Sequence, residues 1–166
     1  MMWRVLSDLL LRLRMAFWNI VYRGYRQRYD IAASFRFNGA GIQLYGSGRI
    51  ELGEGSYVGE LCSLQAAAGE SICIGKKCKI SHNVRIYTTT ALADTDFRQG
   101  PGPSLPGSVL IGAGVWIGAN TYIGPGVTIG DNAVIGANSV VTRSIPSSEI
   151  WGGVPARLIR LKRSNL

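Results

Sequence analysis

The sequence lacks the residues from which most metal sites and disulfide frameworks are built. Its 166 residues include one histidine and three cysteines, and no two of the cysteines form a C-x-x-C pair. A structural zinc site needs about four nitrogen or sulfur ligands, and a disulfide framework needs paired cysteines. We therefore expect no metal site, and we expect Cys62, Cys73 and Cys78 to be small buried side chains in a reducing compartment.

Acidic residues are also few: 10 against 18 basic residues, which gives a formal net charge of +8. A basic balance is typical of proteins that bind nucleic acid. Here, however, basic residues occur at both ends of the chain, and the repeat region over 109–142 carries little charge. Two charged ends suit anionic small molecules or a membrane surface at least as well as a duplex, so we expect no nucleic-acid partner.

The chain has no uninterrupted apolar run of the roughly 20 residues that a membrane-spanning helix needs. Charged residues interrupt the N-terminal apolar stretch, and no small-residue cleavage site of the signal-peptide type follows it. Apolar residues recur there at intervals of four: Val5, Leu9, Leu13, Phe17 and Val21. This spacing predicts an amphipathic helix over residues 1–30. Arginines and aromatic residues in 1–29 suit an anionic lipid surface; alternatively, the helix packs on its own domain or on a partner subunit.

A repeat of six residues dominates the second half of the sequence. Aliphatic–glycine pairs return at this interval: Ile111-Gly112, Ile117-Gly118, Ile123-Gly124, Ile129-Gly130 and Ile135-Gly136. Turn-prone pairs between them indicate regular corners, so three units of six residues would form one turn of a triangular coil. Residues 18 apart should stack with parallel ladders between turns: Ile111 on Ile129, Ile117 on Ile135, and Ile123 on Val141. Weaker runs over 52–64 and 74–86 extend the pattern.

The pattern is interrupted between Ile86 and Ile111 by a segment rich in proline and glycine. Long connections of this kind are usually functional, and we expect a loop extruded from the coil at about 87–109. The resulting division of the chain is a helical segment over 1–30, a coil domain over 31–155 and a basic C-terminal tail over 156–166.

The run 111–141, the loop before it and the segment GVPAR at 153–157 together resemble the left-handed β-helix acyltransferases. These hexapeptide-repeat transferases use acetyl-CoA or an acyl carrier protein, and the resemblance, over about residues 40–160, is to the sugar O-/N-acetyltransferase branch. It implies an all-β fold: a left-handed parallel β-helix with an N-terminal amphipathic α-helix and one extruded loop. Gamma-class carbonic anhydrases share the coil but need three histidine ligands, which this chain lacks.

His82 in ISHNVRI falls at a predicted corner of the coil. Acyl transfer from a thioester needs a base, and an imidazole suits that task near neutral pH. The string aliphatic-x-His-[Asp/Asn] is similar to the catalytic corner of nucleotide-amino-sugar N-acetyltransferases and lipid A acyltransferases, which implies His82 as general base with Asn83 beside it. Asp94 and Asp96 on the loop are candidates for the carboxylate that orients the base, reaching it from the same or a neighbouring subunit.

The galactoside and maltose acetyltransferases instead carry their histidine at the start of the loop, where this chain has YTTTALAD. The acceptor therefore stays open between a sugar hydroxyl and a sugar amine. The resemblance also implies a homotrimer with acetyl-CoA bound between coils of adjacent subunits. Backbone groups would meet the pantetheine at Gly118, Ala119, Gly136 and Ala137, and basic side chains would meet the phosphates at Arg157, Arg160 and Lys162. Trp116 should point outward and line the thioester pocket or the trimer seam.

These features predict an acetyl-CoA-dependent sugar O- or N-acetyltransferase of bacterial surface polysaccharide or lipopolysaccharide biosynthesis. Its acceptor would be a nucleotide- or lipid-linked sugar. The enzyme would be located in the cytoplasm or at the cytoplasmic face of the inner membrane. Two alternatives stay open. One is acetylation of another small molecule, such as an antibiotic or serine; the other is a non-catalytic β-helix scaffold in which His82 has no task.

Overall fold

The computed structural model describes residues 2–163. Met1 and residues 164–166, the outer ends of the predicted helical segment and basic tail, lie outside the described residues. The chain begins with one long helix, α1 (Met2–Arg28), as the fourfold apolar spacing predicts. Within the described part of the chain, no helix combines the length and the apolar character that crossing a membrane requires.

The remainder is a left-handed parallel β-helix with three flat faces. The first three coils are β1 (Asp30–Ile31), β2 (Arg36–Asn38), β3 (Gln43–Tyr45); β4 (Arg49–Leu52), β5 (Tyr57–Gly59), β6 (Ser63–Gln65); and β7 (Ser71–Ile74), β8 (Lys79–Ile80), β9 (Arg85–Tyr87). An extruded arm follows: β10 (Thr89–Ala91), a 3-10 turn (Phe97–Gln99) and β11 (Ser104–Pro106). The last strands are β12 (Val109–Ile111), β13 (Trp116–Ile117), β14 (Tyr122–Ile123), β15 (Thr128–Ile129), β16 (Val134–Ile135), β17 (Val140–Val141), β18 (Glu149–Gly153) and β19 (Ala156–Leu161).

Each face of the coil is one sheet. Face A contains β1, β4, β7, β12 and β15; face C contains β3, β6, β9, β14 and β17. Face B is the largest and contains β2, β5, β8, β13, β16 and β18, with β19 added antiparallel at its end. Since successive strands belong to successive faces, each coil passes two corners between its strands and a third on the way to the next coil. We call the corner between faces B and C the B–C corner.

The predicted stacks of the six-residue repeat are confirmed. Ile111 pairs with Ile129, Ile117 with Ile135 and Ile123 with Val141. All six side chains are buried in the axis of the coil, where removal from water contributes about 1.5–3 kcal/mol for each large aliphatic side chain.

The repeat also fixes the corners. The second residue of each turn-prone pair has a positive φ: Gly114, Asn120, Gly126, Asn132 and Asn138. Glycine and asparagine adopt this left-handed conformation more readily than other residues do. The glycine after a repeat aliphatic has a different task, because a Cβ at Gly118 would lie 2.8 Å from the Cα of Ala137 on the next coil.

The coil begins at Asp30, next to the expected boundary at 30/31, and aromatic Phe35 and Phe37 take part in its first turn. The structure differs from the sequence expectations at two places. The arm is not structureless, since β10 pairs antiparallel with β11. The segment 156–163 forms β19 on β18, so the expected boundary at 155/156 lies within a hairpin.

The cysteines also differ from one another. Cys62 and Cys78 are buried inside the coil as expected, and burial raises the pKa of the Cys62 thiol to about 11. Cys73 does not share that environment: it faces outward on β7 between inward-facing Ile72 and Ile74 and is partly exposed. All three are free thiols.

Candidate active site

The B–C corner brings together half of the twelve site residues that the sequence predicted: His82, Asn83, Gly118, Ala119, Gly136 and Ala137. The amide of Asn120 donates to the carbonyl of His82 (3.0 Å), and the amide of Asn138 donates to the carbonyl of Ala119 (2.8 Å). His82 and Ala119 therefore occupy equivalent positions on successive coils, and Ala137 occupies the next. The predicted cofactor-contacting residues Gly118 and Gly136 immediately precede the alanines, so they lie on the same edge of the coil as His82.

The ring of His82 is exposed and oriented by a backbone group. Its Nδ1 accepts a hydrogen bond of 3.2 Å from the amide N–H of Glu60 on the preceding coil. In a neutral imidazole one nitrogen accepts and the other carries the proton, so this contact places the proton on Nε2. A general base must instead offer an unprotonated nitrogen to the acceptor, and His82 reaches that state only if the ring turns or leaves the Glu60 amide.

Asn83, the second residue nominated at this corner, belongs to a ladder of asparagines. Its side-chain Nδ2 donates to Oδ1 of Asn120 at 2.9 Å, and Nδ2 of Asn120 donates to Oδ1 of Asn138 at 3.0 Å. All three residues have φ between 54° and 58°. The ladder therefore joins three coils, and within it the side chain of Asn83 ties the coil that carries His82 to the next coil.

Helix α1 packs on its own domain and reaches the same corner, a contact that was not predicted from the sequence. Arg14 forms an ion pair with the carboxylate of Glu60, the residue whose amide contacts His82. Further along the helix, the hydroxyl of Tyr22 donates to the carbonyl of Gly39 at 2.9 Å, and its ring stacks on Phe37 with centroids 4.4 Å apart. The helix thus covers the N-terminal end of the coil and extends past the candidate site.

A basic groove lies on face B and ends beside His82. It has a volume of about 1200 Å³ and contains two aromatic side chains, Tyr57 and Trp116. Its cationic lining comes from the third coil and from the C-terminal segment: Lys77, Lys79, Arg160, Lys162 and Arg163. Ser81, which directly precedes His82, also lines it. We call this feature the face-B groove; its cationic lining has the sign of charge that suits an anionic ligand.

The floor of the face-B groove follows from strand register. Tyr57 pairs with Lys79, Lys79 with Trp116, Trp116 with Val134, and Val134 with Ile150. Each of these residues except Ile150 immediately precedes an inward-facing aliphatic residue, so its side chain points outward. Trp116 is 53% exposed there, in agreement with its predicted direction. Tyr57, Lys77 and Lys79 were not predicted from the sequence. The positions of Tyr57 and Lys79 before repeat aliphatic residues indicate that both point outward, but not that they share a face with Trp116.

The C-terminal residues divide between this groove and other contacts. Arg160 and Lys162 line the groove, and Nζ of Lys162 also donates to the side-chain oxygen of Asn132, which ties the C-terminal strand to the coil. Arg157 lies on β19 opposite Gly152 and donates to the carbonyl of Ala156, outside the groove lining.

The two loop aspartates lie on the extruded arm. Asp94 is exposed. Asp96 accepts hydrogen bonds from Nε and Nη2 of Arg98 at 2.8 and 3.0 Å, and these bonds hold the pKa of the Asp96 carboxyl below its usual value. It also accepts from the Arg98 amide at the start of the 3-10 turn. Among residues 2–163 neither aspartate is hydrogen-bonded to His82. Within the single chain, Asp96 stabilises the 3-10 turn that it precedes.

Comparison with known proteins gives the family. The model of the bacterial transferase hexapeptide, described as six repeats, matches residues 108–143. The chain is 35% identical to a maltose O-acetyltransferase from Clostridium difficile 630, with 79% of this chain and 72% of that chain covered and a TM-score of 0.52. It is 32% identical to a galactoside acetyltransferase in complex with coenzyme A, covering 78% of this chain and 66% of that one, with a TM-score of 0.52.

A hexapeptide-repeat-containing acetyltransferase from Vibrio cholerae O1 biovar eltor, complexed with acetyl coenzyme A, is 26% identical, with 86% of this chain and 76% of that chain covered and a TM-score of 0.60. No protein of curated function matches the sequence. The repeat match, the coil and the identity to the maltose enzyme agree, and the chain belongs to the left-handed β-helix family of hexapeptide-repeat acyltransferases.

Proposed function

We propose that the chain transfers an acetyl group from acetyl-CoA to a hydroxyl or amino group of a nucleotide- or lipid-linked sugar. Bacterial surface polysaccharide or lipopolysaccharide biosynthesis, on the cytoplasmic side, is the process that uses such acceptors. In the proposed step, the acceptor oxygen or nitrogen forms a bond to the acetyl carbonyl carbon, and the carbon–sulfur bond breaks. The acceptor proton passes to His82 and then to the departing thiolate, which leaves as the free thiol of coenzyme A.

The face-B groove is the observation that carries this proposal. Coenzyme A is large and bears several phosphate charges, and the groove has a volume of about 1200 Å³ and a cationic lining. Arg and Lys bind phosphate oxygens through charge-assisted hydrogen bonds, and the exposed face of Trp116 offers an apolar surface to the thioester arm. Since Ser81 belongs to the lining, a donor bound in the groove would end next to His82. The coenzyme A complexes of two related acetyltransferases support this choice of donor.

We further propose that the working unit is a homotrimer whose subunits complete the groove for one another. Closed cyclic assemblies of this kind are common among homo-oligomers. Such an arrangement would place the partly exposed Ala119 and Gly136 and the exposed Ala137 at the seam beside the donor. Gly118, which the resemblance also implied, is buried against the next coil. In such a trimer the exposed Asp94 on the extruded arm would approach the His82 of a neighbouring subunit and orient its ring.

The groove assignment is tested by Lys79→Ala against Arg85→Ala. Both side chains are exposed, both precede an inward-facing isoleucine on the third coil, and only Lys79 lies in the groove. Quenching of tryptophan fluorescence by coenzyme A should give a Kd raised about five- to tenfold by Lys79→Ala, as expected for one lost charge-assisted contact. Arg85→Ala should leave the Kd within about twofold. Equal effects of the two substitutions would refute the groove as the donor site.

The role of His82 is tested by release of free thiol from acetyl-CoA in the presence of nucleotide sugars with and without a free amine. His82→Ala should lower kcat by about 10²–10⁴ with little change in coenzyme A affinity, since loss of a general base affects the chemical step. Undiminished turnover would eliminate His82 as base. If the unmodified chain binds no coenzyme A, the non-catalytic scaffold is the better description, whereas turnover confined to an antibiotic or serine would favour the other alternative.

A further inference from the structure

The first half of α1 is an exposed helix with one apolar side. Residues 2–17 are all exposed. At 100° per residue, their apolar side chains form an arc roughly 160° wide. The centre of this arc is formed by Leu6, Leu9, Leu13 and Phe17, with Val5 at one edge and Trp3, which is 75% exposed, at the other. We call it the apolar arc.

The apolar arc points away from the coil. The apolar side chains by which α1 packs on the coil are Trp18, Val21, Tyr22 and Tyr25. Val21 lies in line with Trp3, so the coil side begins at that edge of the arc, and Leu11 lies on the coil side because it precedes Tyr22 by about three helical turns. Ile20 extends the apolar arc into the packed half of the helix, and there it is still 69% exposed. The coil therefore does not cover the arc in the single chain.

The charged residues around the apolar arc indicate whether a membrane or a second copy of the chain covers it. Arg12 lies at one edge of the arc, and Arg14, which is paired with Glu60 of the coil, lies at the other. Arg4 lies on the opposite side, and Asp8 is the one acidic residue of this half of the helix. An apolar face with aromatic residues, flanked by arginines, is typical of a helix that lies in the interface of an anionic bilayer. Pairing with the same arc of a second copy would bring arginines on both edges together, and like charges oppose that contact.

We infer that α1 docks this protein on the surface of a membrane containing anionic lipids, with the apolar arc in the headgroup region. The coil would then lie above the helix. Because Arg14 contacts Glu60 at the B–C corner, the corner with His82 would lie about one helix diameter, 10–12 Å, from the lipid. An acceptor carried on a lipid would meet the corner at that height; this last step rests on the proposed function.

Leu13→Gln and Leu11→Gln form a matched pair for the test. Both leucines are 56% exposed, but Leu13 is in the apolar arc and Leu11 is on the coil side. The full-length chain is sedimented with vesicles of phosphatidylcholine in which phosphatidylglycerol makes up about a quarter of the lipid. Leu13→Gln should weaken vesicle binding about tenfold, as burial of one leucine implies, and Leu11→Gln by less than about threefold. Thermal unfolding verifies that both variants are folded.

Arg12→Gln tests the electrostatic part of the inference. It should weaken binding to the anionic vesicles about fivefold and leave the weak binding to pure phosphatidylcholine unchanged. Equal vesicle binding by the Leu13 and Leu11 variants would overturn the inference, as would an absence of binding by the unmodified chain. A change in molecular mass with Leu13→Gln would overturn it too, because the arc would then be an interface between copies. None of these measurements depends on acetyl transfer, so their failure leaves the proposed function untouched.

Discussion

Two glycines at the B–C corner give a sharp prediction, because they share a place in the repeat but differ in available space. Gly118 and Gly136 each follow a buried isoleucine on face B. A Cβ on Gly118 would meet the backbone of the next coil, 2.8 Å from Cα of Ala137, whereas the nearest atom to a Cβ on Gly136 is the carbonyl oxygen of Trp151 at 3.6 Å. Neither glycine needs a positive φ.

The magnitude follows from these distances. Ordinary contacts of a Cβ begin near 3.4 Å, so Gly118→Ala must push two coils apart by about 0.6 Å or more. Overpacking of this kind costs about 1–3 kcal/mol, or roughly 2–12 °C in Tm for a chain of this length. Gly136→Ala causes no such clash. Because alanine lowers the conformational entropy of the unfolded chain, this substitution should raise the free energy of unfolding by about 0.4–1 kcal/mol.

Thermal and urea unfolding of the two variants provide the assay. Equal losses of stability would refute the reasoning from coil spacing. The same pair separates folding from binding: if coenzyme A lies against the backbone of Gly136, the added methyl group of Gly136→Ala should raise the Kd for coenzyme A while Tm is preserved. An unchanged Kd would remove Gly136 from the proposed donor site without affecting the rest of the groove.

Three further predictions concern the coil and the arm. Ile129→Ala should cost about 2–5 kcal/mol in urea unfolding because the side chain is buried in the stack, whereas outward-facing Thr128→Ala should cost less than about 0.5 kcal/mol; similar costs would contradict the stack. Burial raises the pKa of Cys62 from 9.0 to about 11, so its contribution to stability is complete below pH 9 and is lost as the pH rises towards 11. Between pH 9 and pH 11 the free energy of unfolding should therefore fall by roughly 2–3 kcal/mol less in Cys62→Ala than in the unmodified chain. The same fall in both proteins would contradict the burial. Asp96→Asn should loosen the arm, because the bonds to Arg98 weaken, and limited proteolysis should cut there faster at nearly constant Tm; an unchanged cutting rate would assign Asp96 another role.

The later coils were predictable because three units of six residues return each aliphatic side chain to the same face after 18 residues. Once Ile111 and Ile117 are assigned to the axis, the facing residues on the next coil follow by counting. The first coil was not predictable in this way. Phe37 pairs with Val58, a separation of 21 residues (58 − 37), and the aromatic side chain interrupts the pattern of aliphatic residues.

The candidate site was less predictable than the coil, for a different reason. The period fixes which side chains point inward but leaves the outward positions free, and the face-B groove consists of outward positions. Lys79 and Trp116 share it because their strands pair, although they are 37 residues apart (116 − 79), and the extruded arm lies between them in sequence. The repeat does not determine how many residues the arm contains. The residue that pairs with Lys79 on the next coil therefore could not be found by counting.

The state of His82 depends on still more distant parts of the chain. Its Nδ1 is held by an amide of the preceding coil, and the side chain of the same residue, Glu60, is paired with Arg14 on α1. A base at this position must give up the Glu60 contact, so whatever moves α1 or Glu60 also acts on the availability of Nδ1. If α1 rests on a membrane, its position is set by the lipid surface, and the contact that holds the ring is then coupled to docking. Helix α1, the B–C corner and His82 are connected through Glu60, whose side chain pairs with Arg14 and whose amide contacts His82.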